Sequence, residues 1–231
     1  SHVGKGGAFV RPGLYMCKFD GQGELLIEKD GNVIQNNGTS LMINVTSKNG
    51  VRFRITRTNS SDPVRNITMV PLELSGRNFP EDPFHPEFIA ELSGASILRF
   101  SQWLRVDSND YNSMNQPRNW SLRTLTTDQT QNCLAGVALE YMVALSNKLH
   151  ASPWFGLPKA ASVTDSYHIQ FANMVKATLD PDLLIYIEYR DEGPGSLTQE
   201  QAQQSLMIFT IWEGVFGPDE TARRLRRVVN I

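Results

Sequence analysis

Residues Leu183 to Glu192 read LLIYIEYRDE. Apolar and β-branched positions run into an acidic pair, which is the pattern of a buried strand of an α/β sheet delivering a carboxylate at its C-terminal end. In closed α/β barrels that end is where chemistry collects, because the loops after the strands form the barrel mouth. Glu192 is therefore the first candidate catalytic residue, with Asp191 beside it. Acidic residues after a strand are also common in loops and helix starts, so position alone supports both readings.

On either side of this stretch, from about Asn66 to Ile231, strands alternate with helices. ITMVP (67–71), ILRF (97–100), SPWFGLP (152–158), LLIYIEY (183–189) and RRVVNI (226–231) read as five strands. Helical spacing places Leu139, Met142, Val143 and Leu149 on one face, then Ile169, Ala172, Val175 and Leu179, then Ile208, Ile211, Trp212 and Val215. Such alternation argues for right-handed βαβ units and a parallel sheet. A doubly wound sheet usually carries a glycine-rich phosphate turn after its first strand, and its absence here favours a barrel. Residues 1–65 read differently. GLYMCKF and ELLIEKD flank the turn Asp20-Gly21-Gln22-Gly23, SLMINVT and VRFRIT flank Lys48-Asn49-Gly50, and both pairs are expected to form antiparallel hairpins. In the last of these, Val51, Phe53 and Ile55 alternate with Arg52, Arg54 and Thr56, giving one buried and one wet face. The expected fold is thus α/β, a partial TIM-type (β/α) barrel of about strands 1 to 5 (66–231) preceded by a small antiparallel β-sheet region (1–65). A closed barrel takes eight strands, so another polypeptide segment or self-assembly is expected to complete it.

Composition narrows the partners. The formal net charge is −2 with both signs interspersed, which recommends neither nucleic acid nor an anionic membrane. The one basic cluster, Arg223, Arg224, Arg226 and Arg227, reads as the solvated face of a terminal helix running into a strand. No apolar run approaches the roughly 20 residues of a membrane span. The start SHVGKGG has no apolar centre like that of a signal peptide, although a removed signal leaves no trace. Compartment is read instead from Asn-x-Ser/Thr sequons at Asn37, Asn44, Asn59, Asn66 and Asn119. Such acceptors are used on secreted chains, and their crowding between Asn37 and Asn66 points to a secreted, extracellular glycoprotein. Cys17 and Cys133 are compatible with one disulfide and equally with two buried thiols.

Glycoside hydrolysis commonly uses two carboxylates. Glu192 suits the general acid, and Asp191 either bonds a sugar hydroxyl or raises the pKa of Glu192 by like-charge repulsion. Glu188, four residues earlier, reads as a buried structural acceptor. Sugar rings stack on aromatic faces, and Trp103, Trp120 and Trp154 all fall near strand ends; with Tyr189 they are the substrate-binding candidates. Core packing is the competing role for each, and Trp212, between Ile208 and Val215 on a helix, is assigned to the core. Other chemistries find little support. His2, His85, His150 and His168 lack metal-ligand spacing, no Gly-x-Ser-x-Gly elbow is present, and Gly4-Lys5-Gly6-Gly7 follows no strand. No metal and no cofactor are expected.

The series ILRFSQW, QPRNW, GVALEYMVALSNKL, SPWFGLP, FANMVKATLDP and LLIYIEYRDE resembles the first half of secreted, glycosidase-like (β/α)8-barrel proteins related to clan A glycoside hydrolases. The resemblance spans roughly Asn66 to Ile231 and implies that Glu192 occupies the acid/base position. It implies that Asp191 occupies that of an Asn contacting the sugar. Three positions depart from the family pattern: Asp191 replaces Asn, Gly193-Pro194-Gly195 stands where an aromatic is expected, and Lys159 stands where a His is expected. A carboxylate cannot donate as an amide does. The family's nucleophile comes from a seventh strand, which five strands do not reach. The expected function is a secreted non-catalytic glycosidase-like extracellular protein, structural, matrix or filament-forming, with a possible glycan-binding mouth. The alternative is a retaining glycoside hydrolase with Glu192 as general acid/base and its nucleophile supplied by a segment beyond Ile231 or by another chain.

Overall fold

The computed structural model describes residues 10–48, 50–79, 81–106, 119–128, 130–133, 135–158, 166–189 and 199–229. The chain divides into two units, Ser1–Pro83 and Phe84–Ile231. The first unit holds β1 (Gly13–Asp20), β2 (Gly23–Lys29), β3 (Gly31–Asn36), β4 (Ser40–Val45), β5 (Val51–Thr58) and β6 (Arg65–Pro71). Period-two burial decides which face of each strand turns inward. In β4 it buries Leu41, Ile43 and Val45, and in β1 Tyr15, Cys17 and Phe19. These strands form an antiparallel sheet in the order β3-β4-β1-β6, and β2 pairs with β5 in a second, two-stranded sheet. Leu25, Ile27, Val51 and Phe53 of the small sheet share one core with Cys17, Leu41 and Ile43 of the large one.

Neither expected hairpin forms. β1 pairs with β4 and β6, and β2 pairs with β5. Each turn carries the chain from one sheet to the other, so the apolar faces meet across a core. A hairpin of neighbours would have left them side by side in one layer, facing water. Arg52 and Arg54 do stay wet, pairing with Glu28, but Ile55 is 47% exposed. Cys17 and Cys133 are both free thiols, and burial pushes the Cys17 thiol up to about 11.

The second unit is an α/β layer. Its elements are α1 (Pro86–Glu91), β7 (Ile97–Arg99), α2 (Ser101–Leu104), a 3-10 turn (Trp120–Leu122), α3 (Leu139–Leu149), β8 (Ser152–Leu157), α4 (Ser166–Thr178), β9 (Ile185–Tyr189), α5 (Gln199–Phe216), α6 (Pro218–Arg224) and β10 (Leu225–Val228). β7 to β10 are all parallel and lie side by side in chain order. Crossovers between neighbouring parallel strands follow a right-handed rule, which takes successive connecting helices to one side of a sheet. There Phe155, Ile185 and Ile187 pack with Met142, Phe171, Val175, Ile208 and Trp212. Trp212 is fully buried, stacked on Phe216 and edge-on to Phe171 at 5.4 Å.

This architecture corrects the expected partial TIM-type barrel. Among the described residues the parallel sheet has four strands and does not close. The stretch ITMVP, expected to be the first barrel strand, belongs instead to β6 and runs antiparallel to β1. Within α4 the inward stripe is also rotated. Ile169 is 38% exposed, while Tyr167, His168 and Phe171 are buried with Ala172 and Val175, because the Tyr167 and Phe171 rings offer more apolar area than the isoleucine.

Arg224 departs from its solvated reading. It is 2% exposed, and its guanidinium donates to the carbonyls of Leu183, Leu179 and Asp180 at 3.2, 3.5 and 2.9 Å. Burial lowers its pKa, and the three carbonyls answer its donors. Among the described residues no helix is long and apolar enough to cross a membrane.

Candidate functional site

Pleating sorts the parallel sheet into two faces. Leu98, Phe155, Ile185 and Ile187 point toward the helices, and the residues between them point the other way. Strand register lines up Arg99 of β7 with Trp154 of β8, Trp154 with Tyr186 of β9, and Tyr186 with Arg226 of β10. One continuous row thus crosses all four strands on the face away from the helices. Trp154 and Tyr186 are partly exposed, and neither packs against the hydrophobic core.

Glu188 lies one pleat along from Tyr186, on the same face. Its side chain is only 3% exposed and pairs with Arg99 at 3.2 Å. The Trp154 indole Nε1 donates to the same carboxylate at 2.9 Å. Arg99 also lies over the Trp154 ring, 4.8 Å from its centroid, and the Tyr186 ring sits on the other side at 6.0 Å, tilted by 32°. A guanidinium over an indole and a charge-assisted hydrogen bond to its N–H together hold the ring in one orientation. Arg226 turns away. Its guanidinium donates to the carbonyls of Ala222, Leu225 and Arg223 at 3.3, 2.8 and 3.1 Å. There it meets the partial negative charge at the C-terminal end of α6.

The other aromatic candidates are held by packing. Trp103, in α2, stacks on Phe88 at 6.3 Å and leans on Phe100 at 5.5 Å. Trp120 lies under the Arg123 guanidinium at 4.0 Å and meets the edge of Tyr167 at 6.0 Å. Arg123 pairs in turn with Glu140 at the start of α3, 2.8 Å away. Trp120 is thus the latch that fastens the segment before α3 onto α3 and α4. Tyr189 ends β9 on the helix side and packs against the core. Asp191, Glu192 and Lys159 lie outside the described residues.

Four sequon asparagines, Asn37, Asn59, Asn66 and Asn119, are exposed, and Asn44, next to last in β4, is partly exposed. Among the described residues no group of three His, Cys, Asp or Glu side chains is placed to hold a metal ion. Sequence reasoning therefore reached Trp154 and the structural role of Glu188, and it missed Arg99 and Tyr186. The signal was present in LLIYIEY. Parallel strands covered on both faces read as continuous apolar runs, whereas Tyr186 and Glu188 alternate with Ile185 and Ile187 and mark a second face of different character.

Compared with known proteins, the chain matches no family model, no curated protein and no solved structure. Fold and site therefore define it by themselves, as a two-unit α/β chain whose open parallel sheet presents an aromatic row braced by a buried carboxylate and its arginine partner.

Proposed function

We propose that this is a secreted, non-catalytic extracellular protein that binds glycan through the aromatic row of its parallel sheet, in the manner of a matrix component. One observation carries the reading: Trp154 and Tyr186 stand together, partly exposed and outside the core, on the face opposite the helices. Aromatic rings that the fold does not use for its own packing are what the C–H face of a sugar stacks on, and rigid placement lowers the entropy lost on binding. The sequons support an extracellular setting. The departures at Asp191, Gly193 and Lys159 from the glycosidase pattern support binding without turnover. Glu188, the buried carboxylate of the row, accepts from Arg99 and Trp154, which is the work of a brace and not of a general acid.

The test is binding of the full chain to a glycan array, together with a Trp154→Ala variant whose fold is checked by circular dichroism. Binding by the parent and its loss in a folded variant is the expected result. Retained binding in Trp154→Ala moves the site elsewhere. Turnover of aryl glycosides that Glu192→Gln abolishes would replace the reading with the glycosidase one.

A further inference from the structure

We infer that the glycan taken by this row is uncharged and that Tyr186 is its stacking platform; the inference rests on the glycan-binding reading above. The two cations of the row itself, Arg99 and Arg226, are already answered. Arg99 is paired with the buried Glu188 carboxylate, and Arg226 is spent on three carbonyls at the end of α6. Among the described residues of the row, a sulfated or uronate-rich chain would find no guanidinium fork left open, and bidentate recognition of such groups needs that fork free. An uncharged sugar asks for different things, a ring face for its C–H surface and a donor or acceptor for its hydroxyls.

Tyr186 supplies both. Trp154 has the Arg99 guanidinium over its ring, the Tyr186 ring beside it and its N–H on Glu188, so it is held from three directions. Tyr186 has one ring neighbour, Trp154, and beyond it on the β10 side Arg226 has bent toward α6. Its hydroxyl makes no hydrogen bond among the described residues and is not buried away from solvent. A phenol with a free hydroxyl at the end of a braced aromatic pair suits a neutral pyranose, with Trp154 as the positioning residue behind it.

The experiment is calorimetric titration of the full chain against two sets of probes at 0.05 and 0.5 M salt. The neutral probes are the hexaoses of glucose, mannose, xylose and N-acetylglucosamine; the anionic ones are alginate and chondroitin sulfate oligosaccharides. Tyr186→Phe and Tyr186→Ala are titrated in parallel. We expect a neutral probe to bind with an affinity that salt leaves unchanged, since no counterions are released. Tyr186→Phe should weaken it by a few-fold and Tyr186→Ala by more than about tenfold. Binding confined to the anionic probes and weakened by salt would overturn the inference and leave glycan binding standing. Neutral binding indifferent to Tyr186→Ala would overturn the platform. Binding of none of the probes overturns this inference, and the wider array then decides whether the glycan-binding reading falls too.

Discussion

At the scale of single residues, Glu188 organises the parallel sheet's polar face. Its carboxylate joins three strands, because Arg99 comes from β7 and Trp154 from β8. A buried carboxylate with a charged partner and an indole donor is costly to delete, since the donors left behind lose their acceptor. Arg99 retains 33% of its side-chain exposure, so water relieves part of its loss, whereas the Trp154 N–H has Glu188 as its one protein acceptor. Glu188→Ala is expected to cost about 1–3 kcal/mol. Glu188→Gln should cost less, because the amide oxygen still accepts from the indole and only the charge is lost. Urea unfolding of the two variants checks the order; equal midpoints for parent and Glu188→Ala would show that the carboxylate braces nothing.

Among the elements, the segment between the 3-10 turn and α3 shows how a loop is fastened without regular structure. The Val137 amide donates to the Trp103 carbonyl at 2.9 Å, and Thr124 donates to the Gly136 carbonyl at 2.7 Å. Gln131 caps α3, accepting from the Ala138 amide at 2.8 Å. Gly136 sits at φ 86°, and a Cβ there would collide with the Trp103 carbonyl, whereas Gly94, at φ 91°, has open space around it. Both glycines carry the strain that a side chain adds at positive φ, and only Gly136 adds a backbone clash. Gly136→Ala is therefore expected to destabilise by more than about 1 kcal/mol and by more than Gly94→Ala. It should also speed proteolysis within residues 119–137. Equal effects from the two substitutions would mean that the close approach to Trp103 carries no weight.

At the scale of the whole molecule, the sequons bear on where the protein works. Asn37 and Asn59 sit in exposed turns, where Asn37 closes onto the Ser40 carbonyl at 2.9 Å and Asn59 onto the Gln22 carbonyl at 2.8 Å. Asn66 is exposed on β6, and its amide donates to Asp20 at 2.8 Å. Asn44, within β4 and partly covered, is the least accessible of the four. Two or more of these sites are expected to carry glycan in material from the native source, with Asn44 occupied least. Intact mass before and after peptide N-glycosidase treatment reads this directly, and an unchanged mass would remove the case for secretion.

Local chemistry in the sequence determined a good deal. The change from antiparallel strands to alternating strands and helices was legible because period-two and helical spacing are short-range patterns, and β8, β9, α3 and the core role of Trp212 follow from them. The acceptor role of Glu188 was legible from its place inside an apolar strand. Partner choice was not. Turns predicted β1 with β2 and β4 with β5, and the fold chose β1 with β4 and β2 with β5, since only layering buries both apolar faces. ITMVP looked the same whether it opened a parallel sheet or edged an antiparallel one, because a short apolar run does not specify its neighbour. The row through Arg99, Trp154 and Tyr186 likewise arises from strand register. Register joins residues far apart in the chain, and it is settled only when the strands pack.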